Sequence, residues 1–358
     1  MNEQINWDDI LADIEDQQAV LLLGHGFLPG AHEALHRSFS EKLGGKLLHF
    51  YQRDGLFLFA DNDAKTSAQK EAARFYKNAL PDEALLKKIA ELPFRLMVSA
   101  NPDRSLCDAF ARYRLPLQFD YYSSLPKEQE AALTRPKPDN PLLFNLCGSY
   151  EDRKSLILDY DDLFNLLKNL LADLQVPLSE VRRPLHDAST FIFVGFHFER
   201  WYTQLFLRYL NQNDHQFSNN SRNYALKTSF ADPETQQFFL QQFNVKYIGA
   251  DLTFFEELHR RFSERNPGQL RKVVETLSPT ATTVVQLVER ADLAAAISTL
   301  KIFNAQFNAD DQTLLTTTES RYNHYLKDKS DGTVRQEDLG IALSKVRLNL
   351  LELAKKLK

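Results

Sequence analysis

The chain has 358 residues, 43% hydrophobic and 25% charged, with a formal net charge of −5; this is room for two domains and too acidic for a general nucleic-acid-binding surface. Two cysteines, Cys107 and Cys147, exclude a disulfide framework, and no Cys or His cluster at ligand spacing predicts a metal. With no apolar run of roughly 18 residues and no apolar signal core at the N-terminus, the expectation is a cytoplasmic protein that engages neither membrane nor nucleic acid.

In chain order, Trp7, Ile10, Leu11 and Ile14 fall at helical spacing, and Ala19–Leu23 reads as a buried strand running into Gly24-His25-Gly26. Ala31, Leu35, Phe39 and Leu43 mark a second helix, ended by Gly44-Gly45. Residues 47–51 and 56–60 read as extended, 65–80 and 83–92 as helical. Pro93 breaks the chain before a buried strand, 94–99, which ends on Asn101-Pro102-Asp103. Residues 117–123 alternate as a strand and 127–138 form a polar loop. A further buried strand, 141–146, ends on Cys147-Gly148, and a helix is expected from 161 to about 174. Thr190–Val194 is an apolar strand ending on Gly195, followed by a helix over 199–210 and a polar loop over 212–222. A strand at 223–229, a helix at 233–243, a strand at 245–248 and a helix at 253–262 complete the pattern.

This alternation predicts an α/β fold, a three-layer Rossmann-like and mainly parallel sheet. Strands near Ala19, Phe94, Leu142 and Thr190 belong at its centre because they are apolar on both faces. Beyond 264 only helical periodicity is left, over 284–303, 310–328 and 336–357, and it predicts a small three-helix bundle. The expected division is a first domain over 1–263, a linker over 264–279 and a helical domain over 280–358.

Four blocks in this order resemble the sirtuin-like family of prokaryotic conflict proteins: Trp7 leading into Gly24-His25-Gly26; Asn101-Pro102-Asp103; Leu146-Cys147-Gly148-Ser149; and Phe193-Val194-Gly195-Phe196-His197 with Trp201. The tail, through Leu287–Leu300, Leu315, Arg321-Tyr322-Asn323 and Arg347–Leu353, resembles the bacterial effector-associated domains. The first resemblance implies NAD at the strand ends, with Gly24, His25, Gly26, Asp103, Gly148 and Gly195 facing the cofactor and Asn101, Cys147 and His197 at catalytic positions. The second implies a helical adaptor that pairs with a related domain on a partner protein, with homo-oligomerisation as the other form of association.

Against that family pattern the site carries several departures. Members that break the nicotinamide bond have histidine where Cys147 stands, as general base on the ribose. Imidazole titrates near neutrality, whereas a thiol starts near about 8.5 and burial raises it further. His25 replaces a small residue, Phe27 and Pro29 crowd the glycine turn, His197 replaces a serine and Arg200 replaces an acid. Each residue also has a plain reading. Gly-x-Gly can be a tight turn, Asp103 a helix cap, Cys147 a small core residue, and the two histidines satisfied side chains, unless one of them has become the base. Asp161-Asp162 reads as helix N-terminal charge. The expectation is a catalytically degenerate scaffold or sensor of antiviral defence, with NAD binding weakened or lost and recruitment through the effector-associated domain. The alternatives are an active NAD hydrolase with altered residues and an interaction module that binds no nucleotide.

Overall fold

The computed structural model describes residues 5–79, 81–127, 132–171, 179–211, 222–226, 233–248, 251–273, 279–304, 307–331 and 336–357. The chain divides into two compact units, Met1–Val274 and Glu275–Lys358.

The first unit runs α1 (Trp7–Glu15), β1 (Ala19–Leu23), α2 (Ala31–Leu43), β2 (Leu47–Tyr51), β3 (Leu56–Phe59), α3 (Asn62–Lys77), α4 (Glu83–Glu91), β4 (Leu96–Ser99) and α5 (Ser105–Arg112). It continues with β5 (Gln118–Tyr121), β6 (Leu142–Asn145), α6 (Tyr160–Leu171), α7 (Ser179–His186), β7 (Thr190–Val194) and α8 (Trp201–Asn211). Then come β8 (Arg222–Leu226), α9 (Pro233–Phe243), β9 (Val245–Ile248) and α10 (Asp251–Arg265).

Seven strands pair in the order β5-β6-β4-β1-β7-β8-β9, all parallel. This is the doubly wound α/β sheet the alternation predicts, with the four apolar strands inside it. Successive side chains point to opposite faces, so Leu21, Leu23, Met97, Ile192 and Val194 enter one core with α1, α4, α5 and α10. Val20, Leu22, Val98, Phe191 and Phe193 enter the other, with α6, α8 and α9. Fully burying each such side chain stabilises by about 1.5–3 kcal/mol, and the polar residues of these interior strands, Ser99, Asn145 and Thr190, stand at strand ends. From β1 the chain goes to β4 and on to the edge strand β5, returns to place β6 between them, and then crosses over to build β7, β8 and β9 on the other side of β1. The switch point therefore lies between the C-terminal ends of β1 and β7, where open α/β sheets bind ligands.

Apart from this sheet, β2 and β3 pair as an antiparallel hairpin. With α2 and α3 they close a smaller core of Leu35, Phe39, Phe57, Ala68, Ala72 and Tyr76. The sequence reading anticipated α5 only through Asp103, which accepts from Ser105 N at its start, and missed α7, which carries Pro184 in its interior. The expected polar loop over 212–221, the strand end over 227–229 and the helix end over 172–174 lie outside the described residues.

The linker expected over 264–279 needs correcting. α10 continues to Arg265, and Arg271 folds back onto the unit. The Arg271 guanidinium donates to the carbonyls of Ala90 (3.0 Å), Leu92 (2.6 Å), Phe94 (2.6 Å) and Pro138 (2.6 Å). The Arg271 amide donates to Glu91 O at 2.8 Å. Arg271 thus caps the C-terminal end of α4.

The second unit has four described helices rather than three: α11 (Pro279–Glu289), α12 (Leu293–Ile302), α13 (Ala309–Asp331) and α14 (Gln336–Lys355). The single helix expected over 284–303 is broken at Ala291, which adopts φ +63°, and Asp292 accepts from Ala295 N to begin α12. Val284, Val288, Ile297, Leu300, Leu315, Val346, Leu350 and Leu353 form its core. Leu348 is 68% exposed, while Leu351 packs partly on the core.

Candidate functional site

At the switch point the turns after β1 and β7 touch backbone to backbone. Gly24 N donates to Val194 O and Gly26 N to Gly195 O, both at 2.8 Å. A Cβ on Gly24 would lie 2.7 Å from Phe196 Cα, one on Gly26 2.9 Å from Gly195 O, and one on Gly195 2.8 Å from Gly26 Cα. Gly195 also has φ +66°, which disfavours any side chain. Packing between two loops accounts for these three glycines, and the Gly26 amide is already engaged.

Asn101, at the end of β4, is fully buried beneath the same turn and donates from Nδ2 to Gly24 O at 2.9 Å. Its Oδ1 has no partner among the described residues, nor has His25 Nδ1. Asp103 turns the other way, accepting from Ser105 N at 2.8 Å and from the Ser105 hydroxyl. Burial raises its carboxyl above the ordinary range, only partly offset by those bonds. Gly148, at φ +88°, is packed against Ser155, whose Oγ would lie 2.6 Å from a Cβ at Gly148. Neither Asp103 nor Gly148 lines the chamber beside β1; both serve the local fold.

Gly24, His25, Cys147, His197 and Arg200 do converge. With Ala100, Tyr202 and Thr203 they line a chamber of about 60 Å³, roofed by Leu163, Leu166, Leu167 and Leu170 of α6 and walled by Phe196 and Phe206. His25, His197 and Arg200 also line a neighbouring groove of about 390 Å³, completed by Gly26, Gly30, His32, Glu33, Gln52, Arg53 and Glu199. A groove of that volume is in the range of small-molecule sites, about 300–1,000 Å³, and the chamber is far below it. The groove carries two arginines, Arg53 and Arg200, against two glutamates, Glu33 and Glu199, whereas the chamber has no space for a sugar with its base.

Burial pushes the Cys147 thiol up to about 12, against which Arg200 is a minor opposing influence. A thiol so placed stays protonated at neutral pH and cannot accept a proton from a ribose hydroxyl. His25 packs edge-on to His32, ring centroids 4.7 Å apart. Burial first, then the fields of His32, Arg200 and His197, hold His25 well below its ordinary range. Burial and the same two neighbours, Arg200 and His197, lower His32 to about 3. Both rings are therefore neutral at pH 7. His197 differs: its side chain is 40% exposed and its Nδ1 lies 3.1 Å from Glu199 Oε1. Burial would raise the Glu199 carboxyl, but the bond to His197 and the nearby charges leave it below the ordinary range.

Sequence reasoning missed His32, Arg53, Glu199 and Tyr202 as site residues. His32 had a usable signal, since a turn of half a dozen residues returns the first turn of α2 to the strand end. Glu199, two residues from His197, had one also. Arg53 comes from the β2–β3 hairpin, whose docking over the strand ends no local pattern announces.

A family model described as a SIR2-like domain matches residues 95–248, and one described as effector-associated domain 11 matches residues 279–358. No curated protein matches. Among solved structures, a crystal structure of a Sir2 homolog–NAD complex is 13% identical, with a TM-score of 0.39 over 74% of this chain and 97% of that chain. A structure titled for the mechanism and regulation of Sir2 enzymes is also 13% identical, with a TM-score of 0.35 over 72% and 98%. The fold assignment rests on the sheet order itself. No helix among the described residues is long and apolar enough to cross a membrane, and no described group of three or more His, Cys, Asp or Glu could hold a metal ion.

Proposed function

From a chain that carries a SIR2-like domain and an effector-associated domain 11, we propose a nucleotide-binding component of a bacterial conflict or antiviral defence system that does not cleave its ligand. It acts as a scaffold or sensor, and its C-terminal helices recruit a partner bearing a related domain. The observation that carries this reading is Cys147, whose thiol is held protonated by burial to about 12 at the position of the expected base. Nicotinamide release from NAD by the purified full chain tests it. The expected result is no turnover above the spontaneous rate, and Cys147→His alone restores little because the chamber of about 60 Å³ stays closed. Turnover abolished by Asn101→Ala would overturn the reading.

One observation favours an active hydrolase instead. His197 and Glu199, 3.1 Å apart, have the arrangement of a base held by a carboxylate, at the border of groove and chamber. If that pair does chemistry, wild-type turnover is measurable and Glu199→Gln lowers it without changing stability.

A further inference from the structure

Arg200 is a buried charge with no ion pair among the described residues. The residue is 4% exposed, yet its Nε has no hydrogen-bond partner among the described residues. Its Nη1 donates to the Tyr202 hydroxyl at 2.8 Å, which in turn donates to Asp54 O at 2.8 Å. Both acceptors are neutral. No described carboxylate comes within ion-pair distance of Arg200: Glu199 faces His197 at 3.1 Å, and Asp54 Oδ2 accepts from the Tyr160 hydroxyl at 2.5 Å. A buried guanidinium without an anion is costly, and breaking such a pair is normally what creates one.

The surroundings indicate what would compensate it. Arg200 lines both the groove and the chamber, and Gly55 leaves the space where it meets His32: a Cβ there would come within 2.8 Å of the His32 ring and 3.1 Å of Arg200 Nη1. Arg53 adds a second cation to the groove wall, opposed by Glu33 and Glu199. We propose that the junction of groove and chamber is an anion site centred on Arg200, which takes the phosphate or diphosphate of a ligand that has no fixed positive charge. The guanidinium forks onto phosphate oxygens in pairs, while neutral imidazoles at His25 and His32 supply hydrogen bonds without competing charge. The same guanidinium repels a cationic ring held beside that phosphate. Among nucleotides the site therefore favours ADP-ribose over NAD, whose pyridinium is positive. This sharpens the nucleotide reading and depends on it only for the nucleotide part of the test.

The test is calorimetry and thermal shift on the full chain with inorganic pyrophosphate, ADP-ribose and NAD. Pyrophosphate should bind, and ADP-ribose should bind about tenfold or more tighter than NAD. Arg200→Met should lose on the order of tenfold to a hundredfold in pyrophosphate affinity and bring ADP-ribose and NAD level, with no loss of thermal stability in the absence of ligand. Arg200→Lys should keep the preference for ADP-ribose at reduced affinity. NAD binding as tightly as ADP-ribose to the wild type overturns the proposal without any variant, and so does pyrophosphate binding unchanged in Arg200→Met. If nucleotides bind indifferently to Arg200, this proposal falls and the nucleotide reading stands. If pyrophosphate binds through Arg200 and no nucleotide does, the reverse holds. If neither binds at millimolar concentration, both fall.

Discussion

Replacing Gly195 by alanine tests whether the glycines at the switch point are occupied by the fold or free for a ligand. Two costs apply. Alanine at φ +66° is strained, by about 1–2 kcal/mol. Its Cβ would also stand 2.8 Å from Gly26 Cα and closer still to the next peptide, all of it backbone, so the loops must part at a cost of about 1–3 kcal/mol. Together the expected loss is about 2–5 kcal/mol, a large share of a domain's usual 5–15 kcal/mol. Both tryptophans, Trp7 and Trp201, belong to the first unit, so their fluorescence during urea unfolding reports on it selectively. At an m-value of about 2 kcal/mol/M the midpoint should fall by roughly 1–2.5 M. Two controls separate the costs. Gly30→Ala carries strain alone, since φ is +72° and nothing lies within 4 Å. Gly24→Ala carries the collision alone, 2.7 Å from Phe196 Cα. If Gly195→Ala costs no more than Gly30→Ala, the loops are not interlocked and the glycines are available to a ligand after all.

Three further outcomes are expected. Cys147, its thiol raised from 9.0 to about 12, should react with iodoacetamide at neutral pH on the order of a thousandfold more slowly than an exposed thiol and at the normal rate in urea; mass spectrometry of the alkylated peptide decides. His32 has a folded pKa near 3, below its unfolded value of 6.5, so the unfolded chain binds the extra proton between those values. Stability is thus complete above pH 6.5 and falls below it, by about 1.4 kcal/mol per pH unit from this residue, and His32→Gln should flatten that acid limb in pH-dependent melts. A fragment ending at 274 should melt well above one ending at 263, because only the longer one keeps the four carbonyl bonds of Arg271; equal melting temperatures would mean that the clasp contributes nothing.

The sheet was legible because its signal is local: Ala19–Leu23 and Phe191–Val194 are apolar at every position, and only a strand buried on both faces tolerates that. That Gly24, His25, Cys147 and His197 converge was legible because they follow such strands, and in a parallel sheet all strand ends of one polarity share an edge. What was not legible depends on direction. Asp103 and Gly148 also follow interior strands, yet they face Ser105 and Ser155. Arg200 read as a substitution in a pattern, with nothing to show that its charge would be enclosed without a counter-ion. The break at Ala291 was hidden because Val288 and Leu293 both serve the same core, so apolar periodicity runs through a chain reversal.

The arginine that caps α4 also bears on the order of folding. Arg271 Nη1 and Ala90 O are 181 residues apart in sequence, so their bond rewards closure of a loop that spans most of the first unit. Closing so long a loop is entropically costly and comes after nearer contacts have formed. An interaction absent from the transition state acts on escape from the native state and not on arrival. Arg271→Ala should accordingly leave the refolding rate of the unit unchanged and take its full effect in faster unfolding, so that the residue serves as a kinetic latch fastened last.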